Sequence, residues 1–213
     1  MTTDDLSTDH LRRRLAEAAI LPILPVSSPD AALDEIDRMA AEGMSAVEIL
    51  FRTAEAAAVL ARAKARHPSI LFGAGTMLNA ANVEAAVAAG ADFLVSPGLT
   101  PRLHAIVADG RLPHIPGVQT ASEVMTAVEY GYTLLKYYPS KASNAPMVLA
   151  DYANIFLGVG FVPTGNIDAS MLADYAAVPN VVAVGGTWML PSRKPASDPE
   201  LQAQVAAFKA GRR

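Results

Sequence analysis

The sequence predicts one α/β domain over residues 1–213, built on a closed parallel sheet with one additional helix at its amino terminus. Short apolar runs alternate with Ala-rich amphipathic stretches, and these are the patterns of buried strands and surface helices. The alternation recurs about eight times, at intervals of roughly 20–25 residues, as in a (β/α)8 TIM barrel. No segment of linker composition interrupts it.

The predicted strands are the apolar runs rich in β-branched residues or leucine. They cover residues 20–25, 46–51, 70–72, 93–95, 112–115, 134–138, 159–163 and 181–184. The amphipathic stretches between and after them predict helices, and a further helix precedes the first strand. These helices cover residues 8–19, 29–42, 53–66, 79–90, 100–109, 120–131, 144–154, 168–177 and 198–210.

An open, doubly wound sheet is the alternative arrangement of alternating strands and helices. Such a sheet usually has fewer strands and carries a Gly-rich turn after the first one. Here the first predicted strand runs into Pro-Val-Ser-Ser-Pro at 25–29, which contains no glycine. The sequence therefore favours the barrel.

The composition excludes several classes of protein. A formal net charge of −4 provides no basic surface, so we expect no nucleic-acid partner. The absence of cysteine excludes a disulfide scaffold, a cysteine-ligated metal site and a thiol nucleophile. The four histidines lack the paired spacing of metal ligands, so we expect no metal site.

The location of the protein is predicted from two further features. The first ten residues are acidic and lack the apolar region of a leader peptide. Every apolar stretch is shorter than the ~20 residues of a membrane-spanning helix. We therefore expect a cytoplasmic protein without a membrane partner.

A lysine interrupts the sixth predicted strand. Lys136 lies in the sequence Leu-Leu-Lys-Tyr-Tyr-Pro at 134–139. Burial of an ammonium is costly unless it is paired, and burial favours the neutral amine of a lysine side chain. A neutral amine is the nucleophile that forms a Schiff base with a ketone. Lys136 is therefore the candidate Schiff-base residue, with a lysine paired for structural reasons as the alternative.

A carboxylate and a guanidinium share one face of the second predicted strand. Because side chains alternate along a strand, Glu48 and Arg52 lie on the same face. A desolvated carboxyl can serve as a general acid and base, and an arginine at the strand end can bind a substrate carboxylate. The structural alternative is a buried ion pair of Glu48 with either Arg52 or Lys136.

Small residues follow the last two predicted strands. The seventh strand ends in Pro-Thr-Gly-Asn at 163–166, and Gly-Gly-Thr-Trp follows the eighth at 185–188. Small residues allow backbone N–H groups to approach an anion. The loops after strands seven and eight are the recurrent phosphate site of this fold. These two loops therefore predict a phosphate-binding end of the site.

Two more loops at the carboxyl ends of strands complete the predicted pocket. Gly-Ala-Gly-Thr at 73–76 and Ser-Pro-Gly at 96–98 follow the third and fourth strands. We expect both to be turns that also wall the pocket. Tyr138 shares a strand face with Lys136 and can line the same pocket. His114 is expected to be a hydrogen-bonded core or rim histidine.

Seven short segments, in order from the second strand to the eighth, carry a resemblance to a known family. They are Val-Glu-Ile-Leu-Phe-Arg-Thr (47–53), Gly-Ala-Gly-Thr (73–76), Ser-Pro-Gly-Leu-Thr (96–100), Pro-Gly-Val-Gln-Thr (116–120), Leu-Lys-Tyr-Tyr-Pro (135–139), Pro-Thr-Gly (163–165) and Val-Gly-Gly-Thr-Trp (184–188). These segments resemble those of the KHG/KDPG aldolases. That family comprises class I aldolases acting on 2-keto-3-deoxy-6-phosphogluconate and 4-hydroxy-2-oxoglutarate.

The resemblance implies a homotrimeric (β/α)8 enzyme that needs no metal or cofactor and that releases pyruvate and an aldehyde. It implies that Lys136 forms the Schiff base and that Glu48 is the general acid and base. It also implies that Arg52 and Thr76 bind the pyruvyl carboxylate. The other implied substrate-binding residues are Pro97 and Tyr138 at the pocket wall, and Gly165, Asn166, Gly185, Gly186 and Thr187 at the phosphate end.

The sequence departs from the usual family pattern at the phosphate end. Asn166 replaces the second glycine of Thr-Gly-Gly, and Pro-Ser-Lys at 139–141 replaces Pro-Ala-Glu. Thr187 stands where serine is commoner. Asparagine tolerates a left-handed backbone, so the loop can keep its shape while a side chain enters it. A different 2-keto acid is therefore an alternative substrate, either 2-keto-3-deoxy-6-phosphogalactonate or an unphosphorylated compound.

Two other functions remain open on the residues alone. A phosphosugar isomerase or synthase on the same barrel would explain the glycines at 185–186 but gives Lys136 no role. A binding module without turnover would keep the pocket. The presence of Lys136, Glu48 and Arg52 argues against it, because a costly buried charge would be expected to be lost first. Fold alone does not decide among these functions.

Overall fold

The structure is a computed structural model, and it describes residues 7–108, 112–193 and 198–210. Helices and strands alternate through these residues. The helices are α1 (Thr8–Ala18), α2 (Pro29–Ala41), α3 (Ala56–Arg66), α4 (Ala80–Ala88), α5 (Pro101–Val107), α6 (Ala121–Glu129), α7 (Ala145–Ile155), α8 (Leu172–Ala176) and α9 (Pro199–Ala210). The strands are β1 (Ile20–Pro25), β2 (Ala46–Leu50), β3 (Leu71–Gly75), β4 (Phe93–Val95), β5 (His114–Ile115), β6 (Gly117–Val118), β7 (Leu134–Tyr137), β8 (Gly160–Pro163) and β9 (Val184–Gly186).

All of the strands pair in parallel. Six of them form a sheet in the order β5-β4-β3-β2-β1-β9, and three form a second sheet in the order β6-β7-β8. Single parallel bridges join the region of β8 to that of β9, at Phe161–Val181 and at Thr164–Gly185. At the other side β5 and β6 follow each other along the chain. The result is an α/β fold around a curled parallel sheet.

The fifth predicted strand, at 112–115, differs from the structure. Regular pairing begins only at His114, and the strand is split into β5 and β6 at Pro116. Proline has no N–H for a ladder hydrogen bond, so the pairing changes partner there. Residues before it pair with β4, and residues after it pair with β7. The carbonyl of Pro116 still accepts a hydrogen bond from the Lys136 N–H at 2.9 Å.

The last predicted strand, at 181–184, is displaced toward the glycines that follow it. The structure places β9 at Val184–Gly186, paired with β1. The valines that suggested the earlier position bond to β8 instead, with the Val182 N–H donating to the carbonyl of Phe161 at 2.7 Å. Glycine has low strand propensity, so the propensity pattern missed this strand.

Most of the predicted helices are shorter in the structure, by three residues or fewer except at 168–177. The one predicted at 100–109 is α5, which ends at Val107, and residue 109 lies outside the described residues. The one predicted at 168–177 begins as a 3-10 turn over Ala169–Met171 and continues as α8. Asp168 caps this turn, since its Oδ1 accepts hydrogen bonds from the Ser170 backbone N–H and hydroxyl. The predicted amino-terminal helix is α1.

Helix α1 closes the end of the curled sheet where the strands begin. Its buried leucines, Leu11 and Leu15, belong to one apolar cluster with Leu21, Phe93 and Leu134. The last three residues lie at or near the starts of β1, β4 and β7. Two larger clusters lie between the strands and the surrounding helices. The interior is therefore filled by side chains at the amino ends of the strands and is left for polar groups at the carboxyl ends.

One buried histidine is held by a chain of polar groups. His114 Nε2 lies 2.8 Å from the Ser96 hydroxyl, which itself donates to the Gly98 carbonyl at 2.7 Å. The hydroxyl of Tyr132 lies 3.2 Å from Nδ1 of both His114 and His104. Ser96 therefore accepts the Nε2–H of a neutral His114, and Tyr132 donates to its Nδ1. Burial, with a smaller contribution from His104, lowers the pKa of His114 to about 3.

We expect that replacing His114 will reduce the loss of folding stability at acid pH. The folded pKa of about 3 lies below the ordinary value of 6.5, so the unfolded chain binds a proton that the folded protein does not. Stability from this group is therefore present above about pH 6.5 and is lost as the pH falls toward the folded value. Between about pH 7.5 and pH 5 the loss amounts to about 2 kcal/mol.

Urea unfolding at both pH values measures this effect in the wild type, His114→Gln and His114→Leu. Both variants lack the titrating group, so both are expected to lose about 2 kcal/mol less than the wild type. Glutamine keeps polar contacts and leucine does not, so the pair separates titration from hydrogen bonding. If all three proteins lost the same free energy of unfolding between the two pH values, the lowered pKa of His114 would be contradicted.

Candidate active site

A lysine and a glutamate meet inside the curled sheet. Lys136 Nζ lies 3.2 Å from Glu48 Oε1 and 3.5 Å from Oε2. Lys136 is 8% exposed and Glu48 1%. Glu48 lies on β2 and Lys136 on β7, which do not pair with each other. The ion pair therefore crosses the interior, and it is one of the two pairings that the sequence left open for Glu48.

Strand parity directs both side chains inward. On β2, Val47 and Ile49 belong to the cluster that packs against the outer helices, which leaves Glu48 on the interior face. On β7, Leu135 and Tyr137 belong to the outer cluster of the other half. Lys136 therefore points to the interior as well.

Gly75 provides the space that the Glu48 carboxylate occupies. It ends β3, paired in register with the end of β2. A Cβ added to Gly75 would lie 2.3 Å from Glu48 Oε1, closer than a Cβ approaches a neighbouring heavy atom in real proteins. The glycines of the segment at 73–76 were predicted to be a turn and a pocket wall. In the structure Gly73 and Gly75 lie within β3.

Arg52 and Thr76 lie side by side beyond the ends of β2 and β3. Arg52 Nε donates a hydrogen bond to Thr76 Oγ1 at 3.3 Å. Arg52 is exposed and Thr76 is half-buried. Thr76 has a φ of +66°, which is strained for a β-branched residue. The two side chains thus offer a guanidinium and a hydroxyl to an anion at this edge of the site.

A cavity of about 200 Å³ opens at the carboxyl ends of the strands. Its lining includes Lys136 and six other predicted site residues. The lining residues are Ile23, Leu50, Arg52, Lys136, Tyr138, Thr164, Gly165, Asn166, Ile167, Gly186 and Thr187. The ring centroid of Tyr138 lies 5.7 Å from Lys136 Nζ, within the range of a cation–π interaction.

The predicted phosphate end is formed by backbone in left-handed conformation and by close approaches between loops. Gly165 has a φ of +106° and Asn166 one of +54°, so the asparagine adopts the conformation that a glycine would take. A Cβ at Gly186 would lie 2.5 Å from the Trp188 ring, and one at Gly185 would lie 2.7 Å from Thr164 Oγ1. These glycines are needed for packing as well as for access to the cavity.

Four predicted site residues are absent from the cavity lining. Glu48 contacts Lys136, and Thr76 contacts Arg52. Gly185 packs against Thr164, as described above. Pro97 lies against Gly117, where an added Cβ would be 2.2 Å from the Pro97 carbonyl oxygen. These residues surround the cavity rather than facing it.

Sequence reasoning missed a hydroxyl that joins two of the strand ends. Ser140 is fully buried. Its Oγ donates to the Tyr137 carbonyl and accepts from the Thr164 N–H, both at 2.8 Å. A single serine in a loop has no local signal, and the sequence shows Ser140 only as part of Pro-Ser-Lys at 139–141. Ile23, Leu50 and Ile167 were also missed, since apolar residues there are indistinguishable from core.

A larger cavity, of about 310 Å³, lies at the opposite face between α9 and the starts of β1 and β2. The buried amine and carboxylate lie at the smaller one. Among the described residues, no three His, Asp or Glu side chains are grouped as metal ligands. None of the helices within these residues is long and apolar enough to cross a membrane.

A parallel α/β fold with a buried amine beside a carboxylate is typical of enzymes that act through a lysine Schiff base. The family of KDPG and KHG aldolases matches residues 11–203. The chain belongs to this aldolase family.

Individual relatives agree with the family match. A 2-dehydro-3-deoxy-phosphogluconate aldolase of Pseudomonas aeruginosa is 42% identical over 175 residues, which are 82% of this chain and 80% of the relative. The KHG/KDPG aldolase of Escherichia coli K12 is 35% identical over 179 residues, 84% of either chain.

A solved relative is similar in structure as well. The KDPG aldolase of Legionella pneumophila, solved with pyruvate captured at low pH as a covalent carbinolamine intermediate, superimposes with a TM-score of 0.81. It is 29% identical, and the match covers 95% of this chain and 98% of that one.

We expect Gly75→Ala to destabilise the protein by crowding Glu48. The added Cβ would lie 2.3 Å from Oε1, and Lys136 restrains the carboxylate, so the cost should be about 1–3 kcal/mol. The free energy of unfolding in urea measures it. In a Glu48→Ala background the penalty should be smaller, because the crowded group is gone.

Gly98→Ala is the matched control for this substitution. Nothing lies within 4 Å of a Cβ added to Gly98, so that change should remain within about 0.5 kcal/mol of the wild type. If Gly75→Ala cost the same with and without Glu48, the proposed crowding would be refuted.

Proposed function

We propose that this protein is a class I aldolase that reversibly cleaves a 2-keto-3-deoxy sugar acid to pyruvate and an aldehyde. The proposed substrates are 2-keto-3-deoxy-6-phosphogluconate and 4-hydroxy-2-oxoglutarate, with glyceraldehyde 3-phosphate or glyoxylate as the second product. The observation that carries the proposal is the buried Lys136 Nζ, 3.2 Å from Glu48 Oε1. Membership of the aldolase family supports the reaction type.

Lys136 supplies the nucleophile in the proposed reaction. After its ammonium passes a proton to the Glu48 carboxylate, the amine adds to the C2 carbonyl of the substrate to give a carbinolamine, which loses water and becomes a protonated imine. The imine accepts the electron pair of the C3–C4 bond. The adjacent carboxylate of Glu48 can take up the proton that the amine releases.

Glu48 moves the protons in the steps that follow. As a base it removes the C4 hydroxyl proton, the C3–C4 bond breaks, and the aldehyde leaves while an enamine of pyruvate remains on Lys136. As an acid it then returns a proton to C3. Water hydrolyses the resulting imine, releasing pyruvate and the free amine. The Glu48 carboxyl can act first as a base and then as an acid because it lies next to the nitrogen that carries the substrate.

The remaining site residues bind and orient the substrate in this proposal. Arg52 and Thr76, which are hydrogen-bonded to each other, hold the pyruvyl carboxylate next to the imine. Pro97 and Tyr138 form the wall of the pocket. The end distant from C2 lies against the loops that carry Asn166 and Thr187. The substrate-binding glycines in those loops are Gly165, Gly185 and Gly186.

The larger architecture belongs to the same proposal. Counting β5 and β6 as one strand divided by Pro116, the pairings and the two bridges between β8 and β9 support a closed barrel of eight strands. We propose one domain over residues 1–213, a homotrimer, and a cytoplasmic location. The mass of the native protein in sedimentation equilibrium tests the trimer.

Borohydride reduction in the presence of pyruvate is expected to leave a covalent adduct on Lys136. Reduction converts the imine to a stable secondary amine, and peptide mass mapping locates it. Lys141 is the internal control, because it is exposed and paired with Asp168 at 3.8 Å and should stay unmodified. Lys136→Ala should neither trap pyruvate nor cleave substrate. An unmodified Lys136 in the wild type would falsify the proposed function.

Glu48→Gln is expected to separate imine formation from turnover. Glutamine keeps the size of the side chain but cannot carry a proton, so pyruvate should still be trapped while the cleavage rate falls about 100-fold or more. Glu129→Gln, on the exposed end of α6, is the control and should keep the wild-type rate. A near-normal rate in Glu48→Gln would make the acid–base assignment wrong.

A further inference from the structure

An arginine that no motif pointed to lies beside the distal end of the cavity. Arg193 Nη1 donates a hydrogen bond to Thr187 Oγ1 at 3.1 Å. Thr187 lines the cavity together with Lys136, Gly165 and Gly186. The guanidinium thus lies next to a residue that lines the proposed phosphate end, and Arg193 itself lines a neighbouring cavity with Glu35 and Arg38.

The turn that carries Arg193 is fixed to the body of the protein. The Arg193 N–H donates to the Leu190 carbonyl at 2.8 Å. The preceding N–H, of Ser192, donates to Glu35 Oε1 at 2.8 Å. Glu35 is buried on α2, and its second oxygen lies 3.5 Å from Arg38. A buried carboxylate that accepts a backbone N–H holds the turn, so the position of Arg193 is built into the fold.

The charge of Arg193 is available to a ligand. Lys136 is paired with Glu48, and Lys141 is paired with Asp168. Across residues 7–108, 112–193 and 198–210, the contact of the Arg193 guanidinium is the uncharged Thr187 hydroxyl, and no carboxylate lies within ion-pair distance of it. A guanidinium has five N–H donors, so four remain after this bond.

We propose that Arg193 is a specificity-determining residue that binds the phosphate group at the end of the substrate distant from C2. A guanidinium binds a phosphate through two parallel hydrogen bonds, which are stronger than those of a neutral donor. The loops at 163–166 and 185–188 contain no charged side chain. Arg193 therefore supplies the cation that this end otherwise lacks. The inference rests on the proposed aldolase function and assigns the residue that distinguishes its phosphorylated from its unphosphorylated substrates.

Steady-state cleavage of 2-keto-3-deoxy-6-phosphogluconate and of its unphosphorylated analogue tests the inference. Arg193→Gln should raise KM for the phosphorylated substrate about tenfold or more with little change in kcat, because one charge-assisted contact to the phosphate is lost. Values for the unphosphorylated substrate should stay within about twofold. Arg193→Lys should restore part of the discrimination, since it keeps the charge but not the two-pronged geometry.

Arg13→Gln is the matched control, because Arg13 is exposed on α1 at the other end of the sheet. This substitution should leave KM and kcat unchanged for both substrates. If Arg193→Gln altered both substrates equally, or neither, while the wild type still trapped pyruvate on Lys136, the role of Arg193 would be wrong and the aldolase assignment would stand. If the wild type did not trap pyruvate, the proposed function would fail and this inference with it.

Discussion

The contact between Lys136 and Glu48 constrains the rest of the structure. Taking two opposite charges out of water costs several kcal/mol per ion, and the cost is offset only while the pair is intact. The partners lie on β2 and β7, in different sheets, so the sheet must curl until the two strands face each other. Gly75 must lack a side chain, and α1 must close the amino ends of the strands so that the interior excludes water.

The two ends of the site are formed by different parts of the structure. At the reaction end, charged side chains project from strands whose backbone is held by ladder hydrogen bonds. At the distal end, small residues in loops supply backbone groups, and Ser140 joins the ends of β7 and β8. Rigid strands suit a proton transfer that requires close geometry. Loops tolerate changes such as Asn166, because a left-handed backbone accepts asparagine with little strain.

The parts that were predicted from sequence are those with a local signal. β1 and β4 begin and end where predicted, and Lys136 and Glu48 were found because a charge in an apolar strand is anomalous. β9 was misplaced because its glycines have low strand propensity, and its pairing with β1 depends on residues that are distant in sequence. The pairing of Glu48 with Lys136, and the space that Gly75 leaves for it, join residues on separate strands and have no local pattern. Arg193 lies in a polar turn whose composition indicates only exposure.

One strained backbone conformation lies at the site, at Thr76. Four non-glycine residues among those described have positive φ, namely Ala19, Thr76, Asn144 and Asn166. Such a conformation costs about 1–2 kcal/mol for an ordinary residue and little for asparagine. Glycine would adopt the Thr76 conformation freely but would lose the hydroxyl that accepts a hydrogen bond from Arg52. Strain of this kind persists only where the surroundings enforce it, and the Gly75 carbonyl just before Thr76 is held by the Phe51 N–H at 2.9 Å. The hydroxyl is therefore the feature that distinguishes threonine from glycine at this position, which supports the anion-binding role proposed for it.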